Sequence, residues 1–275
     1  METEQQVARH YGRSGIEPAI LDALRASGKD VEHLAPGDLS GADEFHLGWH
    51  AATAELARDL GLGPDLHVLE VGCGIGGPAR HFAAARGCRV TGIDLTAEFV
   101  EAAEALTRRC GLAGLVSFRQ GSALAMPFAD GTFDAATLIH VGMNIADKPV
   151  LFAEVRRVLK PGARFGVYDI MRAAEGELPY PMPWAATPET SFVEPPETYR
   201  RLLREAGFTI EAEHDRSELA LSLGREMREH AAIHGAPPLG LHLLMGPATR
   251  ERMGNVFAAL ERGLIAPVEM VARAG

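Results

Sequence analysis

The chain has no excess of basic residues, no apolar run that could cross a membrane and few cysteines. It carries 27 Lys and Arg against 37 Asp and Glu in 275 residues, a net charge of -10. This balance argues against a broad footprint on nucleic acid. No apolar segment approaches the roughly 18 residues of a membrane span. The first residues, METEQQVARHYGR, carry acid where a signal peptide carries base. We therefore expect a soluble, cytoplasmic protein with no nucleic-acid partner and no membrane span.

The three cysteines, Cys73, Cys88 and Cys110, are an odd number and show no paired CxxC spacing. This pattern disfavours both a disulfide framework and a structural zinc site. Reduced thiols that fill small apolar spaces are the simpler interpretation. We expect no metal site.

Strand-like and helix-like segments alternate from residue 66 onward. The apolar patterns predict strands at 67–71, 88–94, 116–119, 133–139, 164–170, 208–213 and 267–272. Helices are predicted between them, at 78–86, 97–110, 148–159 and 198–206. Such alternation is typical of an α/β fold with a doubly wound, mostly parallel, Rossmann-like sheet, here of seven strands. Ligands of such sheets lie at the carboxyl ends of the strands.

Three segments lie outside this alternation. Residues 1–60 are predicted to form an N-terminal helical cap, with helices at 18–26 and 50–60, and residues 61–275 the main domain. A helical insertion at about 217–263 precedes the last strand. The loop at 171–196 is rich in proline and contains more large apolar side chains than is usual for a loop. The oligomeric state is left open, with a homo-oligomer possible.

The most informative segment is VLEVGCGIGGPAR, residues 68–80, in which an apolar strand enters a glycine turn that leads into a helix. Glycines let backbone amides approach a ligand closely, and a ribose or phosphate group suits such a turn. The spacing alone is ambiguous. Gly72, Gly74 and Gly77 satisfy the GxGxxG dinucleotide fingerprint. Glu70 followed by Gly72, Gly74 and Gly76 satisfies an acidic-x-Gly-x-Gly-x-Gly pattern associated with S-adenosylmethionine (SAM).

Four spaced motifs occur in order: VLEVGCGIGGPARHFA, VTGIDLT, GSALAMPFADGTFD and EVRRVLKPGARFGVYD. Together they resemble the class I SAM-dependent methyltransferases, over roughly residues 66–213. The resemblance is to the bacterial small-molecule branch, which includes ubiquinone/menaquinone, sterol and tocopherol methyltransferases and the sarcosine/dimethylglycine N-methyltransferases. It implies methyl transfer from SAM to an N, O or C atom of a small metabolite by in-line displacement.

The resemblance also implies roles for individual residues. Glu70 would lie near the methionine amino group of SAM, and Asp94 would accept hydrogen bonds from both ribose hydroxyls. Leu95 would pack on the adenine. Ser122 stands where the family often has Asp, so it would accept from the adenine amine without charge assistance. The predicted cofactor-binding residues are Glu70, Gly72, Cys73, Gly74, Gly76, Asp94, Leu95, Ser122, Ala123 and His140.

The candidate catalytic residues are His140, Asn144 and His46. His140 follows the fourth predicted strand and is the proposed base, because histidine titrates near neutral pH. Asn144 would orient the acceptor or hold the histidine tautomer. Simpler roles remain open, a bond to a backbone carbonyl for His140, turn formation for Asn144 and packing of the cap for His46. The candidate acceptor-binding residues are Trp49, Tyr180 and Trp184.

Two rival functions remain open from the sequence. An NAD(P)-dependent oxidoreductase of the same fold class would also have an acidic residue about 20 positions beyond the glycines, and Asp94 lies at that spacing. Glu70 and the segments MPFADGTFD and RRVLKPG resemble methyltransferases instead. The second rival is a SAM-binding protein without catalytic activity.

Overall fold

A computed structural model describes residues 2–275 and contains one seven-stranded sheet. In chain order its strands are β1 (His67–Val71), β2 (Arg89–Asp94), β3 (Val116–Gln120), β4 (Phe133–Ile139), β5 (Leu159–Arg172), β6 (Phe208–Asp215) and β7 (Ile265–Ala274). Their spatial order is β3-β2-β1-β4-β5-β7-β6. The first five strands pair in parallel, and β7 lies antiparallel between β5 and β6. The predicted doubly wound, mostly parallel sheet is confirmed.

Helices cover both faces of the sheet, as the apolar strands require. Val68, Leu69 and Val71 of β1 are fully buried, which is typical of a parallel strand covered on both faces. Four helices connect the strands: α5 (Gly77–Arg86), α6 (Ala97–Arg109), α7 (Lys148–Val158) and α8 (Pro196–Glu205). One buried cluster joins the sheet to α7 and α8, and a second joins it to α5 and α6. All four helices predicted between the strands are thus present, within one or two residues of the predicted bounds.

Further helices lie before β1 and between β6 and β7. The first set is α1 (Glu2–Tyr11), α2 (Ile16–Ala26), α3 (Ser40–Asp43) and α4 (Trp49–Asp59). The second set is α9 (Ser217–His234), α10 (His242–Met245) and α11 (Thr249–Glu261). The sequence pattern did not predict α1, whose residues ETEQQVARHY are mostly polar. The domain boundaries, a cap over 1–60 and an insertion over 217–263, stay predictions.

The part of the chain that the structure describes contains no helix long and apolar enough to span a membrane.

Candidate functional site

A cavity of about 390 Å³ lies at the carboxyl ends of β1, β2 and β4. Its floor is the segment that joins β1 to α5. Its walls come from α1, from residues 43–47, from Pro183 and Trp184, and from α10 and α11. The segments before β1 and after β6 therefore close over the edge of the sheet where ligands of this fold class bind.

The glycines of the floor have different structural roles. A Cβ on Gly72 would lie 2.3 Å from Val141, and one on Gly76 would lie 2.6 Å from the Phe118 ring. These two positions are closed to larger side chains by packing. A Cβ on Gly74 would meet no protein atom within 4 Å, and Gly74 lines the cavity at φ 52°. Gly72 and Cys73 line it as well, whereas Gly76 does not.

Asp94 ends β2 beside this floor. Its carboxylate accepts the Gly74 N–H at 2.8 Å through Oδ2 and the Thr96 N–H at 2.9 Å through Oδ1. Burial raises the pKa of Asp94, although these two hydrogen bonds lower it. Each carboxylate oxygen keeps a further lone pair for a ligand donor. The residue thus fixes the turn and faces the cavity at the same time.

Glu70 contributes a second carboxyl group to the floor. Its side chain is 2% exposed, lines the cavity, and has no hydrogen-bond partner for Oε2. Burial, followed by the charge of Glu44, raises the pKa of Glu70 well above its ordinary value. An unpartnered buried carboxyl oxygen is costly. A cationic group bound in the cavity would satisfy it.

Residues after β3 divide between the cavity and its cover. Ala123 lines the cavity, as does Leu95 after β2, whereas Ser122 does not. The Ser122 hydroxyl donates to the Glu4 carboxylate of α1 and accepts the Leu124 N–H at 3.0 Å. The structure therefore shows Ser122 tying α1 to the sheet, and its predicted contact with adenine stays a prediction.

His140 and His46 lie side by side in the lining of the cavity. Both line the cavity, and their ring centroids are 5.7 Å apart. His140 directly follows β4 at φ 52°, and its Nε2 is buried without a hydrogen-bond partner. Burial, with a smaller contribution from His46, lowers the pKa of His140 well below its ordinary value. His140 is therefore neutral at neutral pH and can accept a proton.

Asn144 lines the cavity four residues beyond His140. Its Oδ1 accepts the Tyr11 hydroxyl at 3.2 Å. Burial raises the pKa of the Tyr11 hydroxyl, which therefore stays protonated and donates. Tyr11 lies in α1 and also lines the cavity. Sequence reasoning missed it, because the polar α1 gave no periodic signal that would place one of its residues over the sheet.

The two tryptophans have different positions. Trp184 is 3% exposed, lines the cavity and donates from Nε1 to the Ser191 hydroxyl at 2.9 Å. Trp49 is stacked on Phe257 at 6.4 Å between centroids and does not line the cavity. Tyr180 packs into the same buried cluster as Trp49. Of the three predicted acceptor-binding residues, the structure brings only Trp184 to the cavity.

Charge is distributed unevenly in the cavity. Five residues with carboxyl side chains line it: Glu4, Asp43, Glu70, Asp94 and Asp147. Among its lining residues, all within the described range 2–275, there is no Lys or Arg. The remaining walls are mostly apolar. Glu70 and Asp94 belong to the floor, whereas Glu4 and Asp43 belong to the walls, so the lining as a whole disfavours an anionic ligand.

One group of possible metal ligands occurs among the described residues, far from this cavity. Asp59, His214 and Glu269 present ligand atoms within 4.8 Å of one another. The Arg216 guanidinium already donates to Asp59 at 3.1 Å and to Glu269 at 3.0 Å. Arg216 therefore holds two of the three side chains, and none of the three lines the cavity.

Comparisons with known proteins agree with this geometry. Residues 69–167 match the family described as a methyltransferase domain. Sterol 24-C-methyltransferase ERG6B of Gibberella zeae is 40% identical over 114 residues, which cover 42% of this chain and 30% of that protein. O-methyltransferase resE of Aspergillus sclerotiorum is 32% identical over 176 residues, which cover 63% of this chain and 66% of that protein. The chain thus spans less than a third of the sterol enzyme's length.

The fold is shared along the whole chain with a solved structure. A geranyl diphosphate C-methyltransferase from Streptomyces coelicolor A3(2) superposes with a TM-score of 0.71, covering 100% of this chain and 99% of that chain at 19% identity. Residues 69–167 thus match a methyltransferase domain, and the relatives support a class I SAM-dependent methyltransferase, a family whose cofactor is S-adenosyl-L-methionine.

Proposed function

We propose that the chain transfers a methyl group from SAM to a neutral, mainly apolar small molecule. The observation that carries this proposal is the lining of one cavity, which has the Glu70 and Asp94 carboxyls in its floor and no Lys or Arg among its described residues. The floor suits a cofactor that carries an ammonium group and two ribose hydroxyls. The walls suit an acceptor whose affinity comes from burial of apolar surface.

The residues of the floor fit SAM. The unpartnered Oε2 of Glu70 would accept from the methionine ammonium, and Asp94 would accept from the ribose hydroxyls. Gly74 leaves open space where a side chain would obstruct the cofactor. When bound, SAM supplies an electrophilic methyl group on a positively charged sulfur. The chain's own residues then need only align the acceptor and exclude water.

The residues that line the cavity favour a neutral acceptor over an anionic one. Desolvating a phosphate or carboxylate without a cationic partner is strongly unfavourable. No Lys or Arg lines the described cavity, so its walls offer no such partner. Aliphatic and aromatic side chains from α10, α11 and residues 183–184 line it instead. The geranyl-S-thiolodiphosphate that the Streptomyces coelicolor structure contains together with Mg2+ is therefore a poor model for this acceptor.

His140 is the base in this proposal. Its neutral ring accepts a proton from an acceptor hydroxyl or from an acidic carbon as the bond to methyl forms. Asn144, fixed by the Tyr11 hydroxyl, orients the acceptor through its side-chain amide. The catalytic roles of His140, Asn144 and His46 rest on these positions in the cavity wall.

The test is an acceptor screen with methyl-labelled SAM across phenols, quinols, isoprenoid alcohols and amines. We expect labelled product from at least one neutral hydroxyl or carbon acceptor and no change in NADH absorbance under the same conditions. His140→Asn should lower kcat by about 100-fold or more, the usual range for loss of a general base, while SAM affinity measured by calorimetry stays the same. Binding of SAM without transfer to any acceptor would favour the non-catalytic alternative, and NADH oxidation would favour the oxidoreductase.

The cytoplasmic location, a possible homo-oligomer and the absence of a nucleic-acid partner stay predictions from the sequence.

A further inference from the structure

Two residues of the segment VLEVGCGIGGPAR, Gly77 and Arg80, are not among the described residues that line the cavity. Both belong to α5, and the Arg80 side chain is fully buried. Its guanidinium donates to the Asp43 carboxylate at 2.7 Å and to the Thr107 hydroxyl of α6 at 3.1 Å. Asp43 is itself 6% exposed. A buried ion pair therefore joins α5 to a segment that precedes β1 in the chain.

Gly77 lies directly against the backbone of Asp43. A Cβ on Gly77 would lie 2.1 Å from the Asp43 carbonyl oxygen and 2.7 Å from its carbonyl carbon. Both are backbone atoms, so a side-chain rotation could not relieve this clash. Gly77 has helical backbone geometry, which any residue can adopt. The glycine is therefore required by its contact with Asp43 and not by its own dihedral angles.

The segment at 43–47 forms a wall of the cavity beside Glu70. Three of its residues line the cavity together with Asp43: Phe45, His46 and Leu47. Burial raises the pKa of Glu70, the charge of Glu44 raises it further, and the charge of Arg80 lowers it. Charges have such effects only at short range. The segment and its arginine thus lie at the end of the cavity where Glu70 would accept from the methionine ammonium.

We propose that Gly77 and Arg80 are positioning residues that hold the segment at 43–47 closed over the methionine end of SAM. Arg80 is the charged partner of Asp43, and Gly77 leaves the space that the Asp43 backbone occupies. Since neither residue lines the cavity, each acts on the cofactor through the segment. The inference rests on the proposed position of SAM on the floor, and binding measurements test it without any acceptor.

The first test is Gly77→Ala, with Gly254→Ala as its matched control. Both glycines belong to helices and lie outside the cavity lining, but a Cβ on Gly254 would meet no atom within 4 Å. Alanine favours a helix over glycine, so Gly254→Ala should not lower the melting temperature or change SAM affinity. Gly77→Ala displaces the segment, and the dissociation constant of SAM should rise by about tenfold, mainly through faster dissociation.

The second test removes the ion pair in two ways. Arg80→Met leaves the Asp43 carboxylate buried without its partner, so both the melting temperature and SAM affinity should fall. Adding Asp43→Asn removes the second charge, and this double variant should recover much of the lost melting temperature. It does not restore the contact that holds the segment, so the dissociation constant of SAM should stay about tenfold above the wild-type value.

Amide hydrogen exchange of residues 43–47 reports on the segment itself. It should be faster than in the wild type in Gly77→Ala and in the double variant, and unchanged in Gly254→Ala. Gly77→Ala keeps the ion-pair residues and the double variant keeps the glycine, so the test does not depend on Arg80→Met folding.

Two results would overturn the proposal. One is a SAM dissociation constant that follows the melting temperature and returns to the wild-type value in the double variant, because the pair would then only stabilise the fold. The other is unchanged exchange and unchanged SAM affinity in Gly77→Ala. If the expected changes in SAM binding are found but no acceptor is methylated, the proposed function fails while the role of Gly77 and Arg80 stands.

Discussion

The two ends of the cavity are built in different ways. The floor is formed by β1, β2 and the turn between β1 and α5, and it presents the Glu70 and Asp94 carboxyls and one open glycine, Gly74. The walls are formed by helices and loops from both ends of the chain, and most of their lining side chains are apolar. In the proposed function, the cofactor is recognised by a few chemically distinctive residues, whereas the acceptor is recognised by the packing of distant segments.

The largest expected effect is at the floor. Asp94→Ala removes the acceptor of two backbone N–H groups and of the predicted ribose contacts. We expect the dissociation constant of SAM, measured by calorimetry, to rise by about 100-fold or more, since hydrogen bonds to charged groups are the strong ones. Asp147→Ala is the matched control, because Asp147 lines the same cavity but caps α7. Equal losses in both variants would show that net charge, and no specific contact, holds the cofactor.

The next effect tests the open space above Gly74. Gly74→Ala and Gly162→Ala both place a side chain at positive φ, and neither Cβ would meet a protein atom within 4 Å. Both should therefore lose similar stability, about 1 kcal/mol. Only Gly74 lines the cavity, so only Gly74→Ala should weaken SAM binding, by about tenfold or more. Unchanged SAM affinity in Gly74→Ala would mean that the cofactor does not lie on this turn.

A smaller effect is expected at the walls. Trp184→Phe should raise the KM of an apolar acceptor by about three- to tenfold, because it removes apolar surface from the cavity lining. The SAM dissociation constant should not change. Trp49→Phe provides the comparison, since Trp49 packs on Phe257 away from the cavity. Trp49→Phe should lower the melting temperature without changing the acceptor KM. A rise in KM as large as that in Trp184→Phe would contradict the conclusion that Trp184, and not Trp49, contacts the acceptor.

The smallest expected effect is the release of a proton from Glu70 when SAM binds. Burial raises the pKa of Glu70, so this carboxyl holds its proton to a higher pH than an exposed glutamate does. A bound ammonium favours the carboxylate, so SAM binding should release up to about one proton, and affinity should rise with pH until Glu70 is ionised in the free protein. Calorimetry in buffers of different ionisation enthalpy measures this release. Glu70→Gln should abolish it, and persistence of the release in that variant would assign the proton elsewhere.

The same comparison explains how much of the molecule its sequence predicts. The bounds of β1 and β4 follow directly from apolar runs closed by glycine or histidine, and Glu70 and Asp94 were found because Glu70 lies in β1 and Asp94 ends β2. Such signals are local. The floor was therefore predictable residue by residue, although its contacts with SAM stay predictions.

The walls were less predictable because they depend on packing between residues far apart in the chain. Tyr11 carries no local signal, and its contact in the cavity wall is made with Asn144, which lies in another segment. Conversely, Trp49 looked like a cavity residue by its position in the chain, and the structure packs it on Phe257 instead.

The most direct test of the central claim compares a neutral acceptor with its phosphorylated counterpart. An isoprenoid alcohol and its phosphate ester, each offered with methyl-labelled SAM, differ only at the charged end. We predict methyl transfer to the neutral compound, with kcat/KM at least about 100-fold above that for the phosphate, since the cavity lacks a cationic partner for it. Equal or faster transfer to the phosphate would contradict the account.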